Sequence, residues 1–217
     1  MTYTGNVTQG GPPDVRELSE LVISKLSVGP MDNNVYLLRC RETGDQMLVD
    51  AANEADRILD LIGHGGLSTV VTTHQHGDHW AALRDVVTET GARSVAHAAD
   101  AGALPIVHAT VADGDVIEVG DCRLEVIHLV GHTPGSIALL YRDPAGIPHL
   151  FTGDSLFPGG VGNTRGNAAD FASLLGDVRR KLFDALPDET WFYPGHGRDS
   201  TLGDERPALP EWRARGW

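Results

Sequence analysis

The sequence is poor in cysteine, in positive charge and in long apolar runs. It holds two cysteines, Cys40 and Cys122, in 217 residues. That count excludes a disulfide-stapled scaffold, and a chain of this length buries roughly 70% of its unfolded surface and needs no such staple. Both cysteines fall in stretches patterned as strands and lack the close spacing of a metal knuckle or redox pair, so they read as buried, reduced thiols. Lysine and arginine number 17 against 30 acidic residues, a formal charge of −13. Binding a phosphate backbone or an anionic bilayer relies on basic residues that release counterions, so no nucleic-acid partner is expected. No segment approaches the roughly 18 apolar residues of a membrane span. The start, Met1-Thr2-Tyr3-Thr4-Gly5-Asn6, has no basic region followed by an apolar run. A cytoplasmic protein with no membrane partner is expected. Glycine (26) and proline (12) together stay below the quarter or so that marks a low-complexity chain, and no repeat is present.

What is present is a succession of short strands and a few helices. Residues 1–20 are polar, carry Gly10-Gly11-Pro12-Pro13, and read as a flexible lead-in. Apolar stretches at 21–28, 34–40 and 46–50, separated by turn residues, predict a β-meander. Ile58, Leu59, Leu61 and Ile62 form a helical stripe over 54–62, and residues 68–73 return to strand. A helix is expected over 78–90, a short strand over 93–97, and a hairpin over 116–129 with Gly120-Asp121 at its turn. Strands at 136–142 and 149–152, an amphipathic helix at 171–186 and a strand at 189–193 complete the chain. This mixture predicts an α+β fold of layered sheets covered by helices.

The informative stretch is Thr73-His74-Gln75-His76-Gly77-Asp78-His79, after the apolar run Thr69-Val70-Val71-Thr72. On an extended chain residues i and i+2 point to the same side, so His74 and His76 present two imidazoles to one ion. Asp78 and His79 lie where the chain turns into a helix and can face a second ion. One histidine at a strand end is ordinarily a hydrogen-bonded residue. Three with an aspartate, at the end of an apolar strand, would suffer desolvation and mutual repulsion without a cation. Further candidates stand beside glycines at later strand ends, in Gly131-His132-Thr133-Pro134-Gly135, Thr152-Gly153-Asp154-Ser155 and Pro194-Gly195-His196-Gly197. Taken singly each is as readily a turn or a cap; together they make a set of His and Asp suited to Zn, Mn or Fe.

With these motifs the chain resembles the metallo-β-lactamase superfamily, whose His-x-His-x-Asp-His hallmark is complete at His74, His76, Asp78 and His79. The resemblance implies a four-layer αββα sandwich over residues 21–217, with the site at one edge of two sheets. It implies that His74, His76 and His132 hold one divalent ion, that Asp78, His79 and His196 hold a second, and that Asp154 bridges both, the metal being Zn or alternatively Fe or Mn. Gly131-His132-Thr133-Pro134-Gly135-Ser136 and Gly153-Asp154-Ser155-Leu156-Phe157-Pro158-Gly159-Gly160 most resemble the glyoxalase II-like thioester hydrolases of the compact branch. Larger glyoxalase II enzymes continue into a helical domain that helps bind glutathione, whereas 21 residues follow His196 here. Ser136 also stands where many of them have His.

The expected activity is hydrolysis of a small-molecule thioester by a metal-bridging hydroxide, since two ions sharing a water bring its pKa down toward about 7. Asp78 and Asp154 are the expected catalytic residues, with Asp78 orienting the hydroxide. The leaving thiol, of pKa near 8.5 or so, departs without a strong acid. Asp50 is either a support for a ligand or a strand-end cap. His128 lies inside a strand and, like His64, His97, His108 and His149, is not expected to be a ligand. Arg165 either grips an anionic part of the substrate or is a surface residue. Trp212 and Trp217 pack on the body or on a partner subunit. Two other readings share the same residues: a mononuclear iron persulfide dioxygenase held by His74, His132 and Asp154, and a metal-binding protein without turnover.

Overall fold

A computed structural model describes residues 2–216. Seven strands form the first sheet in chain order: β1 (Asp14–Glu17), β2 (Leu21–Val28), β3 (Asn33–Cys40), β4 (Gln46–Val49), β5 (Thr69–Thr72), β6 (Arg93–His97) and β7 (Ala109–Val111). The first four are antiparallel, and β4 to β7 are parallel. The second half opens with β8 (Val116–Val119), β9 (Cys122–His128), β10 (Ile137–Arg142) and β11 (Pro148–Gly153). A small ribbon follows, β12 (Leu156–Phe157) and β13 (Gly160–Val161), and then β14 (Trp191–Pro194) and β15 (Ser200–Thr201). The second sheet has the order β15-β14-β11-β10-β9-β8.

Alternation along the strands builds three apolar layers. On β3, Tyr36 and Leu38 face the second sheet, where they meet Leu124, Val126, Leu139 and Phe151. Val35 and Leu37 face the other way, toward helices α1 (Ala55–Ile62) and α2 (Leu83–Thr90). Ile127, Leu140, Leu150 and Phe192 point outward from the second sheet onto helix α3 (Ala168–Asp177) and the π turn over Val178–Phe183 that continues it. Side chains of successive strand residues leave opposite faces, so a strand apolar on both sides demands cover on both. The result is the expected αββα sandwich.

Several details depart from the sequence pattern. The stretch 1–20 includes β1, paired to β2 at the sheet edge, and Tyr3, whose ring packs on Trp191 and Tyr193. An edge strand is held by backbone pairing and needs few apolar residues of its own, so Asp14-Val15-Arg16-Glu17 carries little signal. The helix expected over 78–90 is a 3-10 turn at Gly77–His79 followed by α2. The helix expected over 171–186 begins three residues earlier, because the Asn167 side chain accepts from the amides of Ala169 and Asp170. Short helices α4 (Leu202–Glu205) and α5 (Leu209–Arg215) close the described chain. Trp212 on α5 is buried against Phe183, with ring centroids 6.0 Å apart. It therefore packs on the body, and Trp217 lies outside the described residues. Among the described residues no helix is long and apolar enough to cross a membrane.

Trp212→Ala should cost about 3–5 kcal/mol through the cavity it leaves. Urea unfolding should show the loss, with metal uptake retained by the folded fraction.

Candidate metal centre

Strands β9, β11 and β14 run in the same direction through the second sheet, and their C-terminal ends meet the end of β5 from the first. Backbone bonds tie these ends together across the sheets. The Ile137 amide donates to Thr73 O at 2.9 Å, the Gly195 amide to Gly153 O at 2.8 Å and the Asn34 amide to Gly195 O at 2.7 Å. All seven expected ligands lie at this edge, in the loop and turn after β5 (His74, His76, Asp78, His79) and after β9 (His132), β11 (Asp154) and β14 (His196).

Their donor atoms converge in three overlapping groups, each within 4.8 Å: His74, His76 and His132; His74, His79 and Asp154; Asp78, His79 and His196. His76 Nδ1 is 2.9 Å from His132 Nε2, which is 3.3 Å from His74 Nε2. On the other side His79 Nε2 is 3.2 Å from His196 Nε2, and Asp78 Oδ2 lies 3.5 and 3.3 Å from those two nitrogens. Asp154 sits between, with Oδ2 4.0 Å from His74 Nε2, 3.6 Å from His132 Nε2 and 3.5 Å from His196 Nε2. Its Oδ1, 3.3 Å from His79 Nε2, is buried without a well-formed hydrogen bond. Gly195 is required by this approach, since a Cβ there would collide with Asp154 Oδ1 and lie 2.6 Å from His79 Cε1.

The far side of each ring is held by another group, which fixes the nitrogen turned inward. His79 Nδ1 meets Asp50 Oδ2 at 2.8 Å, His132 Nδ1 meets Asn163 O at 2.9 Å, and His196 Nδ1 meets Met31 O at 2.9 Å. His74 Nδ1 is 3.1 Å from Thr73 Oγ1, itself bonded to Asp50. Each of these four therefore directs Nε2 inward, whereas His76 directs Nδ1 inward and receives Arg165 Nη2 at its Nε2, 3.0 Å away. Asp50 thus supports both the loop and a candidate ligand. His128 stands apart, its Nε2 2.8 Å from Pro134 O.

Burial holds His74 well below the ordinary imidazole pKa, with the neighbouring His79 adding to the effect. His76 and His132 are lowered as well, chiefly by burial. Burial alone would lower His79 too, but Asp154 and Asp50 outweigh it and bring it up to about 10. Burial would raise Asp154, yet His79, His196 and His74 around it hold the carboxyl well below its usual range. Burial likewise opposes the charge on Asp78, where the Asn33 amide, 2.9 Å away, and His79 prevail. Three imidazoles held neutral by burial, two more drawn toward ionised carboxylates, and an unpaired buried oxygen of Asp154 among them form a donor set that fits a divalent cation.

Sequence pattern alone did not find Asp100, Asn33 or the Lys25–Asp199 pair. Buried Asp100 accepts from the Gln75 amide at 2.9 Å, Thr133 Oγ1 at 2.5 Å and the Gly135 amide at 2.8 Å, joining the two loops that carry His74, His76 and His132. Its sequence signal was only an acid after β6; sheet order sets it beside the site. Lys25 Nζ donates to Asp199 at 2.6 Å, and to Gly5 O and Gly197 O, both at 2.7 Å. Tyr3 Oη and Trp191 Nε1 complete the bonds to Asp199. A buried ion pair thereby anchors the loop just beyond His196. Beside His76 and His132 a cavity of about 510 Å³ is lined by Gln75, Thr133, Thr164, Arg165, Asn167 and Asp170.

Comparison with known proteins agrees with this fold. The family model for the Metallo-beta-lactamase superfamily matches residues 28–196. A hydroxyacylglutathione hydrolase of Polaromonas sp. is 34% identical over 81% of this chain and 66% of its own length. The chain thus spans about two thirds of the length of that curated relative. Among solved structures, TTHA1623 in a di-iron-bound form is 31% identical with a TM-score of 0.71, covering 84% of this chain and 96% of that one. ETHE1 from Myxococcus xanthus is 28% identical with a TM-score of 0.75, covering 88% of this chain and 84% of that one.

Asp154→Ala should strip the protein of most of its metal, as elemental analysis after chelator-free purification would show; full retention would rule out its central place. Lys25→Met should cost about 3–5 kcal/mol by leaving Asp199 buried and uncompensated. Chemical denaturation measures that loss.

Proposed function

The chain belongs to the metallo-β-lactamase superfamily, and on that premise we propose that it is a metal-dependent hydrolase of a small thioester, similar in reaction to glyoxalase II. The observation that carries the reading is Asp154, whose carboxylate lies within 4.0 Å of donor atoms on both sides of the cluster. In this reading His74, His76 and His132 hold one divalent ion, Asp78, His79 and His196 a second, and Asp154 both. Zn best suits the mixed imidazole and carboxylate set, with Fe or Mn as alternatives. When bound, such ions acidify water and polarise a carbonyl oxygen.

The rest of the chemistry falls to the chain. Asp78, pinned by Asn33 at Oδ2, offers a carboxylate that would orient the attacking water. No general acid is needed at the leaving group, because a thiol of pKa near 8.5 or so departs as thiolate. The cavity beside His76 and His132 receives the substrate. Its Arg165, held with φ +54, supplies a guanidinium at the mouth of an otherwise acidic protein and favours an acyl or thiol part that carries a carboxylate. The relation to a hydroxyacylglutathione hydrolase supports a thioester over other esters.

The test is metal analysis of protein purified without chelator, followed by assays of thioester hydrolysis and of oxygen uptake with a persulfide. Two metal equivalents with hydrolysis are expected. One iron with oxygen uptake would replace this reading by a persulfide dioxygenase held by His74, His132 and Asp154, and metal with neither activity would favour a binding protein. Arg165→Ala should raise KM for anionic thioesters about tenfold or more, as loss of a charged hydrogen bond implies, with kcat little changed.

A further inference from the structure

The end of the sandwich opposite the metal ligands holds a second chemical grouping. Cys40 closes β3 of the first sheet and Cys122 opens β9 of the second. Residues 122 and 128 bound β9, so at about 3.3 Å per residue the thiols lie ~20 Å from the ligand-bearing ends. Both are free and buried, and the two sulfurs interact with each other. The cover is shallow: the residues above them, Arg41, Glu42, Thr43 and Asp121, are exposed. Gly120, at φ +53, brings its backbone so close that a Cβ would lie 2.9 Å from Cys40 Sγ. Cys122 Sγ donates to Glu20 O at 3.5 Å. Beside it stands Tyr141, whose buried hydroxyl faces the Cys122 thiol and makes no other hydrogen bond among the described residues. Cys122, Tyr141 and Glu20 line a groove of about 340 Å³ open to solvent.

We propose that Cys40 and Cys122 form a peroxide-reactive dithiol that closes to a disulfide joining the two sheets, with Tyr141 donating a hydrogen bond to the oxygen that is released. The groove admits a small uncharged oxidant at Cys122, from which it reaches the neighbouring Cys40, and two adjacent thiols make the second step intramolecular. The Cys40 thiolate attacks one peroxide oxygen, the O–O bond breaks, and Cys40 becomes a sulfenic acid while hydroxide leaves and is protonated. Cys122 sulfur then attacks Cys40 sulfur, the S–O bond breaks, and the departing oxygen takes the Cys122 proton as water. Two thiols and one peroxide give one disulfide and two waters; the sulfurs lose the two electrons that reduce the peroxide. Burial opposes a thiolate at Cys40, but hydrogen bonds from Thr43, Asp121 and Glu42 outweigh it and bring that thiol down to about 7. Burial, reinforced by Cys40, pushes Cys122 up to about 12, so it stays protonated while Cys40 reacts and passes its proton to the departing oxygen as its sulfur attacks.

The experiment treats the reduced, metal-containing protein with a modest excess of hydrogen peroxide, alkylates it, and maps peptides without reductant. A cross-linked peptide carrying Cys40 and Cys122 is expected, with titratable thiols falling from two per chain to near zero. Cys122→Ser should leave a dimedone-reactive sulfenic acid on Cys40. Tyr141→Phe should slow closure several-fold at an unchanged thiol titre before treatment. Two thiols that survive in the folded protein, under peroxide that oxidises the guanidinium-unfolded chain, would overturn the proposal, as would oxidation that stops at a sulfinic acid on one cysteine. An unchanged rate in Tyr141→Phe would remove Tyr141 from it.

Discussion

The arrangement turns on one constraint: five imidazoles and two carboxylates must be held together, in overlapping groups whose donor atoms lie within 4.8 Å, at an edge where two sheets meet. Taking such groups out of water is costly unless each finds a partner. The structure meets the demand by giving nearly every ring a bond on its outward nitrogen, from Asp50, Asn163 O, Met31 O or Thr73. What remains pointing inward is one nitrogen per ring and the oxygens of Asp78 and Asp154. The cluster is therefore a set of donors with directions already chosen, which lowers the entropy that a cation's arrival must overcome.

The loops that carry these donors are short and glycine-rich, and would be poorly defined alone. They are fixed by carboxylates lying outside the cluster. Asp50, at the end of β4, accepts from the Thr73 amide and hydroxyl and meets His79. Asp100, beyond β6, binds the loops of Gln75 and Thr133 to each other. Asp199, paired with Lys25, holds the segment beyond His196 and draws Gly5 and Tyr3 onto it. Three acids thus anchor the loops from three sides, so part of the chain's negative charge serves geometry as well as solubility.

The two ends of the sandwich differ in character for the same reason. Where β9, β11 and β14 end together, polar side chains of several loops meet; where β3 ends and β9 begins, two tight turns bring together sulfurs that belong to different sheets. The 81 residues between Cys40 and Cys122 conceal from the sequence a contact made only by stacking one sheet on the other. Spacing rules for thiol pairs act along a chain and cannot report such a contact.

Much of the protein was nonetheless legible in its residues. Two-sided apolar strands such as Asn33–Cys40, the His-rich segment after Thr69–Thr72, and glycine-flanked His132, Asp154 and His196 announced a layered sandwich and its donor set, because periodicity and local clustering survive in one dimension. Strand β1 escaped notice because edge pairing uses backbone atoms, and the early start of α3 because one Asn167 side chain decides it. Asp100, Lys25 and Asp199 carry no local pattern at all. Their roles, the inward nitrogen of each histidine and the meeting of Cys40 with Cys122 were decided by tertiary structure alone, since they depend on which strand ends lie side by side once the sheets are stacked.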